Sequence, residues 1–151
     1  MLRLFLDASA IFAAAYSPTG AARELFALAL RGQVQLLVNR GVLAEVERNL
    51  SRKAPEALTH FQLLMELIEP EILPDPEPQV LREIMAFVVA KDAIVIAGAV
   101  SGKADYLVTF DRRHLIDPPG IQERAGLPIV LPEVALCAVR QEQAGEDGKR
   151  A

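Results

Sequence analysis

Short apolar runs alternate along this chain with longer stretches in which apolar residues recur every three or four positions. The four clearest runs with strand character are LRLFL, VQLLV, DYLVTF and PIVL, in that order. Strands that alternate with helices form parallel sheets whose faces the helices cover. We therefore predict an α/β fold of three layers, α/β/α, around a mostly parallel sheet of four or five strands.

Helical periodicity, caps and breakers define the stretches between those runs. Asn39 is placed to cap a helix, Pro55 and Pro78 to open one, and Gly32 to end one. The proline-rich segment PEILPDPEPQ predicts irregular structure, with at most a short strand near Ile72. The predicted helices cover residues 21–31, 41–52, 55–69, 78–87 and 92–101, and the last of these, DAIVIAGAVS, is apolar enough to be buried.

The length and composition of the chain favour one domain. Its 151 residues, 52% of them hydrophobic, suffice for a single sizeable core, which we assign to residues 1–140. We expect the tail QEQAGEDGKRA, residues 141–151, to be disordered because it has nothing to bury. Asp7 interrupts the apolar start, so we expect no signal peptide, and AIVIAGAV is too short to span a bilayer. With Cys137 as the single cysteine, we expect a cytoplasmic protein.

Two acidic residues follow predicted strands directly. Asp7 comes after LRLFL and Asp111 after DYLVTF, whereas Asp105 begins its strand. In an open parallel sheet, ligands bind outside the carboxyl ends of the strands. We therefore expect Asp7 and Asp111 at one edge of the sheet and Asp105 at the opposite edge.

Two further acids begin helices that start at the same edge. Glu45 lies in the first turns of the helix after VQLLV, where Glu47 is rotated away, and Asp92 opens the apolar helix. Each also has a structural explanation: Glu45 as an exposed helix residue, Asp92 as an N-cap and Asp111 as the start of a turn. Asp7, between LRLFL and AIFAAA, has no such explanation in its surroundings.

Four carboxylates gathered in one cleft repel one another, and a divalent cation removes that conflict. Mg²⁺ and Mn²⁺ prefer carboxylate oxygen and water, and they support phosphodiester hydrolysis. The His and Cys spacing of a zinc site is missing from the sequence. The net charge of −4 argues against a nucleic-acid partner, but less so if cations normally occupy the acids.

The segments LFLDASAIFAA, VLAEVERNL, KDAIVIAGAV and ADYLVTFDRRHL resemble, in this order, the signature segments of PIN-domain ribonucleases, especially the toxins of toxin–antitoxin pairs. The resemblance extends from about Leu2 to Leu136. It implies a ribonuclease dependent on Mg²⁺ or Mn²⁺, a small antitoxin protein as partner and a homo-oligomer. It also implies that four acids bind the metal and two hydroxyl residues support them: Asp7, Glu45, Asp92 and Asp111, with Ser9 and Thr109. Ser9 is equally compatible with a helix N-cap.

The sequence departs from the family pattern at two positions. Phe110 stands where the family often has glycine, which narrows the site or shifts Asp111, and VVAKD lacks a further acid common in this subgroup. Lys91, Arg112 and Arg113 are candidates for contacts with the RNA backbone. Solvation explains the two arginines equally well and explains Lys91 better. His114 is a remote candidate for a general acid.

Two other classes of protein remain open at this point. A phosphatase or phosphoacceptor domain also has an aspartate after its first strand, but the second acid that phosphatases carry two residues later is here Ser9. A PIN-like module that only binds nucleic acid or protein is the other alternative. Binding of Mn²⁺ or Mg²⁺ separates it from an enzyme.

Overall fold

Five parallel strands form the centre of the computed structural model, which describes residues 1–150. The strands are β1 (Arg3–Leu6), β2 (Gln35–Asn39), β3 (Glu71–Leu73), β4 (Tyr106–Val108) and β5 (Ile129–Val130). The helices are α1 (Ala8–Tyr16), α2 (Ala21–Leu30), α3 (Arg40–Lys53), α4 (Leu58–Ile68), α5 (Pro78–Met85), α6 (Ala90–Ser101), α7 (Ile121–Ala125) and α8 (Pro132–Arg150). A 3₁₀ turn, Pro55–Ala57, precedes α4, and a π-helical turn, Arg112–Ile116, follows β4.

The order of the strands across the sheet is β3-β2-β1-β4-β5. Phe5 in β1 lies beside Leu37 of β2 on one side and Leu107 of β4 on the other. Strands β2 and β3 therefore lie on one side of β1, and β4 and β5 lie on its other side. Because crossovers between parallel strands are right-handed, this reversal places helices on both faces and opens a crevice at the carboxyl ends of β1 and β4. The predicted three-layer α/β fold is confirmed.

The core lies between the sheet and its two helical layers. Strands β1, β2 and β4 are almost fully buried, as the continuous apolar runs LFL, LLV and LV predict for a parallel sheet. Helix α1 packs against α2, α3 and α4, whereas α5 packs against α6. Helix α6 buries Ala93, Ile96 and Ala97 but exposes 47% of Ile94, so it is covered on one side only.

Most predicted boundaries lie within one or two residues of the observed ones. Asn39 caps α3 as expected, its side chain accepting a hydrogen bond from Val42 N, and the strand near Ile72 is β3, at the edge of the sheet. The helix expected over residues 55–69 begins instead as a 3₁₀ turn and becomes α-helical at Leu58. Gly32, with φ of 72°, follows α2 in the left-handed conformation that favours glycine.

The C-terminal tail differs from the expected disorder, because α8 continues through residues 141–150. The side chain of Glu142 accepts a hydrogen bond from Leu2 N, at 3.3 Å, and Gln143 donates one to Gln33 O, also at 3.3 Å. These contacts extend the part of α8 anchored by the buried Ala135 and Val139. No helix within residues 1–150 combines the length and apolar character needed to cross a membrane.

Candidate active site

A cleft of about 170 Å³ opens at the carboxyl ends of β1 and β4, where the direction of strand addition reverses. All four predicted acids border it, although they come from segments as far apart as residues 7 and 111 in sequence. The residues that line the cleft are Asp7, Ala8, Ser9, Glu45, Lys91, Asp92, Val95, Asp111 and Leu115.

Asp7 is held at the base of the cleft by hydroxyl and amide groups. Its Oδ1 accepts hydrogen bonds from Ser9 Oγ at 2.6 Å and from Ala10 N at 3.0 Å, and its Oδ2 accepts one from Thr109 Oγ1. Asp7 is therefore the N-cap of α1, so the alternative in which Ser9 caps this helix is wrong. Ser9 and Thr109 orient the carboxylate instead.

The same two hydroxyls tie Asp7 to the segment after β4. Ser9 Oγ accepts a hydrogen bond from Phe110 N at 3.0 Å, and Thr109 Oγ1 accepts one from Asp111 N at 2.9 Å. Thr109 is completely buried. Both hydroxyls thus donate to the carboxylate of Asp7 and accept from backbone N–H groups at or next to Asp111. These bonds hold Asp7 and Asp111 at a fixed separation.

The environment of Asp7 disfavours its negative charge. Burial raises the pKa of the Asp7 carboxyl above its ordinary value of 3.8, and the negative charge of Asp111 adds to the rise. The hydrogen bonds from Ser9, Thr109 and Ala10 oppose it, because they stabilise the ionised form. Asp7 is only 8% exposed.

Asp111 stands on the opposite wall and begins the π-helical turn. Its side chain accepts a hydrogen bond from His114 N at 3.1 Å, so the predicted turn-initiating role is present. In addition, His114 Nδ1 lies 3.1 Å from Oδ1 and 3.2 Å from Oδ2 of Asp111. Asp111 therefore both begins the π-helical turn and lines the cleft.

Glu45 and Asp92 reach the cleft from the first turns of α3 and α6. Glu45 is half-buried and faces the cleft, whereas Glu47 lines a separate surface pocket together with Arg48, as the helical spacing predicts. Asp92 is not the N-cap of α6, which is Val89, but it lies in the first helical turn, where a negative charge is favourable.

The charges of the cleft are poorly compensated. Within residues 1–150, Asp7, Glu45 and Asp92 have no ion-pair partner, and Asp111 has only His114. Buried or clustered carboxylates are normally paired or bound to metal, and an all-oxygen set suits Mg²⁺ or Mn²⁺. The donor set therefore fits a divalent cation.

The acids are nevertheless not converged on one point. In the part of the chain described, no three His, Cys, Asp or Glu side chains are arranged closely enough to hold a metal ion as they stand. Both oxygens of Asp7 accept hydrogen bonds from hydroxyls, and both oxygens of Asp111 lie against His114. An ion bound by these two carboxylates would use the lone pairs that the contacts leave free, since each carboxylate has about four acceptor sites.

The remaining predicted residues surround this cleft at different distances. Lys91 lines it, whereas Arg112 is exposed and forms an ion pair with Asp117 at 3.7 Å, and Arg113 is exposed nearby. Phe110 leaves Asp111 in the cleft and exposes 42% of its own surface. Asp105 lies at the opposite edge of the sheet, where its Oδ2 accepts a hydrogen bond from Arg3 N at 2.7 Å.

Sequence reasoning missed the apolar walls of the cleft. Val95 and Leu115 complete the lining, one from α6 and one from the π-helical turn. Val95 lies three residues after Asp92, which places both on one face of a helix. The position of Leu115 had no such signal, because the π-helical turn that carries it has no sequence pattern of its own.

Comparison with known proteins places this geometry in a family. A model of the PIN domain matches residues 3–113. The crystal structure of PAE2754 from Pyrobaculum aerophilum aligns with a TM-score of 0.65 and 21% identity, over 93% of this chain and 90% of that one. VapBC2 from Rickettsia felis, solved with a DNA fragment from its promoter, aligns with a TM-score of 0.64 and 15% identity, over 86% of this chain and 98% of that one. The two TM-scores show a shared fold, and at identities this low they show nothing beyond it. No curated protein matches the sequence.

Proposed function

Because this chain belongs to the PIN domain family, we propose that it is an endoribonuclease that hydrolyses RNA phosphodiester bonds with Mg²⁺ or Mn²⁺. The observation that carries the proposal is the cleft at the sheet reversal. It is lined by Asp7, Glu45, Asp92 and Asp111, which have no Lys or Arg partners within residues 1–150. Ser9 stands where phosphatases of this kind carry a second acid, and a module that only binds partners has no physical need of four acids in one cleft, so the nuclease is favoured over both.

The four carboxylates are the residues that would hold the ion. When bound, a divalent cation polarises the phosphodiester and favours ionisation of water near it. Asp7 contributes a carboxylate whose orientation is set by Ser9 and Thr109, because two hydroxyl donors leave it little rotational freedom. Asp111 contributes a carboxylate that is 34% exposed and accessible from solvent.

Basic residues beside the cleft would hold the RNA backbone. Lys91 lines the cleft, and Arg113 stands exposed two residues after Asp111. Arg112 is engaged with Asp117, but a pair with both side chains more than half exposed is weak and can exchange for a phosphate contact.

The resemblance to toxins supports a small antitoxin protein as partner, with a homo-oligomer as the state of the free protein. Helices α1 and α4 pack together and carry exposed apolar side chains, Tyr16 at 60%, Leu63 at 51% and Leu67 at 60%. A second chain covering such side chains would remove apolar area from water. VapBC2 was solved bound to promoter DNA, so an affinity of the partner for DNA is part of this proposal.

The experiment that tests the proposal incubates purified protein with mixed RNA and DNA pools in Mg²⁺, Mn²⁺ or a chelator, and sequences the new ends. We expect new ends in RNA, only with metal. Asp7→Asn should reduce cleavage by at least roughly 100-fold, the upper end of the effect of losing a residue that merely supports a ligand.

Asp105→Asn is the matched control, since it makes the same substitution at the opposite edge of the sheet. It should cleave like the wild type. Folded wild-type protein that cuts no RNA in either metal would favour the binding module instead. Cleavage of DNA but not of RNA would support nuclease activity and contradict RNA as the substrate.

A further inference from the structure

The acid cleft continues into a second cavity of about 230 Å³, the side arm. Glu45, Lys91 and Val95 line both cavities, so the two are direct neighbours. The residues that line only the side arm are Asn39, Gly41, Val42, Asp75, Pro76 and Ile94. A strand of nucleic acid that lies in the acid cleft would reach the side arm by passing these three residues.

Asn39 places an unused hydrogen-bond donor in the wall of the arm. The residue is only 9% exposed. Its Oδ1 accepts from Val42 N at 2.8 Å, which fixes the orientation of the amide, since only the oxygen can accept. Within residues 1–150 the Nδ2 group donates no hydrogen bond, and the nearby Gly98 has no side chain to offer one. Within residues 1–150 no buried side-chain nitrogen or oxygen lacks a partner, so this Nδ2 group is in contact with solvent and can donate to a ligand instead.

The other walls of the arm offer apolar surface and one acceptor. Ile94 exposes 47% of its surface there, beside Val95 and Pro76, and Asp75 supplies a carboxylate. A nucleobase presents flat apolar faces and an edge that both donates and accepts hydrogen bonds. The volume is below the roughly 300 Å³ at which pockets for larger ligands begin, which suits a single base.

The junction between cleft and arm suits a phosphate. Helix α6 begins here with Val89 as its N-cap, which makes no side-chain capping bond. Asp92 N already donates to Val89 O at 3.1 Å, so the backbone N–H groups of Ala90 and Lys91 are the ones free to bind an anion. Lys91, in that first turn, adds a positive charge. The side arm suits a base, the junction suits a phosphate, and the acid cleft suits the next phosphodiester. This is the order of these groups along a nucleic-acid strand.

We propose that the side arm binds the base of a nucleotide that flanks the cleaved phosphodiester, and that Asn39 Nδ2 donates a hydrogen bond to this base. The inference rests on the proposed function, because it takes the acid cleft as the place of cleavage. It adds base recognition at one position of the RNA. Asn39 is accordingly a specificity-determining residue in addition to the cap of α3.

The test combines variants of the protein with an RNA oligonucleotide that the wild type cuts, prepared with a single abasic position at each place around the cut. Asn39→Ser removes the amide but keeps an oxygen that caps α3. Asn49→Ser is the matched control: Asn49 lies in α3, the helix that Asn39 caps, accepts only from Arg52, at 3.1 Å, and lines neither cavity. Melting temperatures verify that each variant is folded.

In the wild type, removing the base at one position beside the cut should raise KM by about 2- to 10-fold, the value of one hydrogen bond, with kcat unchanged. In Asn39→Ser the intact RNA should show that higher KM already, and the abasic position should add nothing further. Asn49→Ser should behave like the wild type. A merely structural role of Asn39 would not produce coupling to one base.

The effect of Asn39→Ser and the effect of each abasic position could instead add independently at every position. That result would overturn the inference but would not contradict the proposed nuclease activity. If the wild type does not cut RNA, the same series is measured by fluorescence anisotropy in Mg²⁺. Coupling in binding would then support the side arm while rejecting the proposed function. Absence of coupling, or of binding, would reject both.

Discussion

Two structural roles of Asp7 place its carboxylate in an environment that disfavours the negative charge it carries at neutral pH. It caps α1 through Ala10 N and it receives the hydroxyls of Ser9 and Thr109, yet burial penalises its charge. A residue selected only for stability at this place would be neutral, because asparagine caps a helix as well as aspartate does. A carboxylate whose charge is penalised by burial is expected to lower stability, a cost that proteins often bear at functional sites.

This conflict predicts how stability without metal depends on pH. The pKa of Asp7 in the folded protein lies above the ordinary 3.8. Below pH 3.8 the carboxyl is protonated in both states and brings no penalty. As pH rises from there through the folded pKa, the unfolded chain ionises first, and the free energy of unfolding falls. Above the folded pKa the penalty is complete.

Asp7→Asn cannot ionise, so its stability relative to the wild type should increase over that same pH interval. Urea unfolding of both proteins with a chelator, from pH 3 to pH 8, measures the difference. Asp105→Asn reports the pH dependence of an unrelated carboxylate. A difference between wild type and Asp7→Asn that does not change with pH would show that burial of Asp7 is not penalised.

At the scale of residues, the sequence predicted which acids line the cleft better than it predicted the contacts of the polar residues beside them. Asp7 was recognisable because a carboxylate sat between two apolar runs, and Glu45 was distinguished from Glu47 by helical spacing. Asn39 was recognisable only as a cap, because its free Nδ2 depends on the packing of β2 beside α6. The contact of His114 with Asp111 arises from the π-helical turn, which has no sequence signature.

At the scale of elements, the junction from α6 to β4 depends on the missing side chain of Gly102. Its φ of −81° is accessible to any residue, whereas the following Lys103 takes the left-handed conformation, with φ of 57°. Gly102 is needed for space: a Cβ there would overlap Cδ1 of Leu73 in β3. Arg3 Nη2 also donates to Gly102 O at 2.8 Å, which holds the junction against β1.

Gly102→Ala should therefore lower the free energy of unfolding by about 1–3 kcal/mol, the usual effect of overpacking. Gly145→Ala is the control, since nothing lies within 4 Å of a Cβ in this exposed part of α8. It should raise stability by roughly 0.5–1 kcal/mol through helix propensity. Denaturant unfolding measures both. A neutral Gly102→Ala would mean that the side chain of Leu73 moves aside freely.

Elements with strong periodicity or long apolar runs were predictable, and those defined by tertiary contacts were not. β1 and β2 have continuous apolar sequences, and α3 has a cap at Asn39. β5 has only two residues, and its pairing with β4 defines it. The last turns of α8 have a polar sequence and are held to the domain by Glu142 and Gln143.

At the scale of the whole molecule, sheet topology explains why distant acids meet. The reversal of strand order between β1 and β4 brings residues 7 and 111 to one crevice, and two helices that start at that edge add residues 45 and 92. The sequence predicted one shared cleft from the strand ends for Asp7 and Asp111, and from helix starts and the family resemblance for Glu45 and Asp92. It could not predict the contact of His114 with Asp111, or that within residues 1–150 no three of these ligands form a ready metal site, because rotamers depend on the assembled site.

The arrangement of charges predicts that metal stabilises the folded protein. A cation that binds only the native state, at about 100 times its dissociation constant, adds about 2.7 kcal/mol, which corresponds to a rise in Tm of roughly 5–11 °C for a chain of this size. Mn²⁺ should produce such a rise in the wild type and in Asp105→Asn. Asp7→Asn should start with an equal or higher Tm without metal and gain much less from it. Calorimetry of the three proteins with and without Mn²⁺ measures both effects. An equal gain in all three would show that Asp7 does not contribute to metal binding, since Asp105 lies at the far edge of the sheet and its substitution leaves the cleft unchanged.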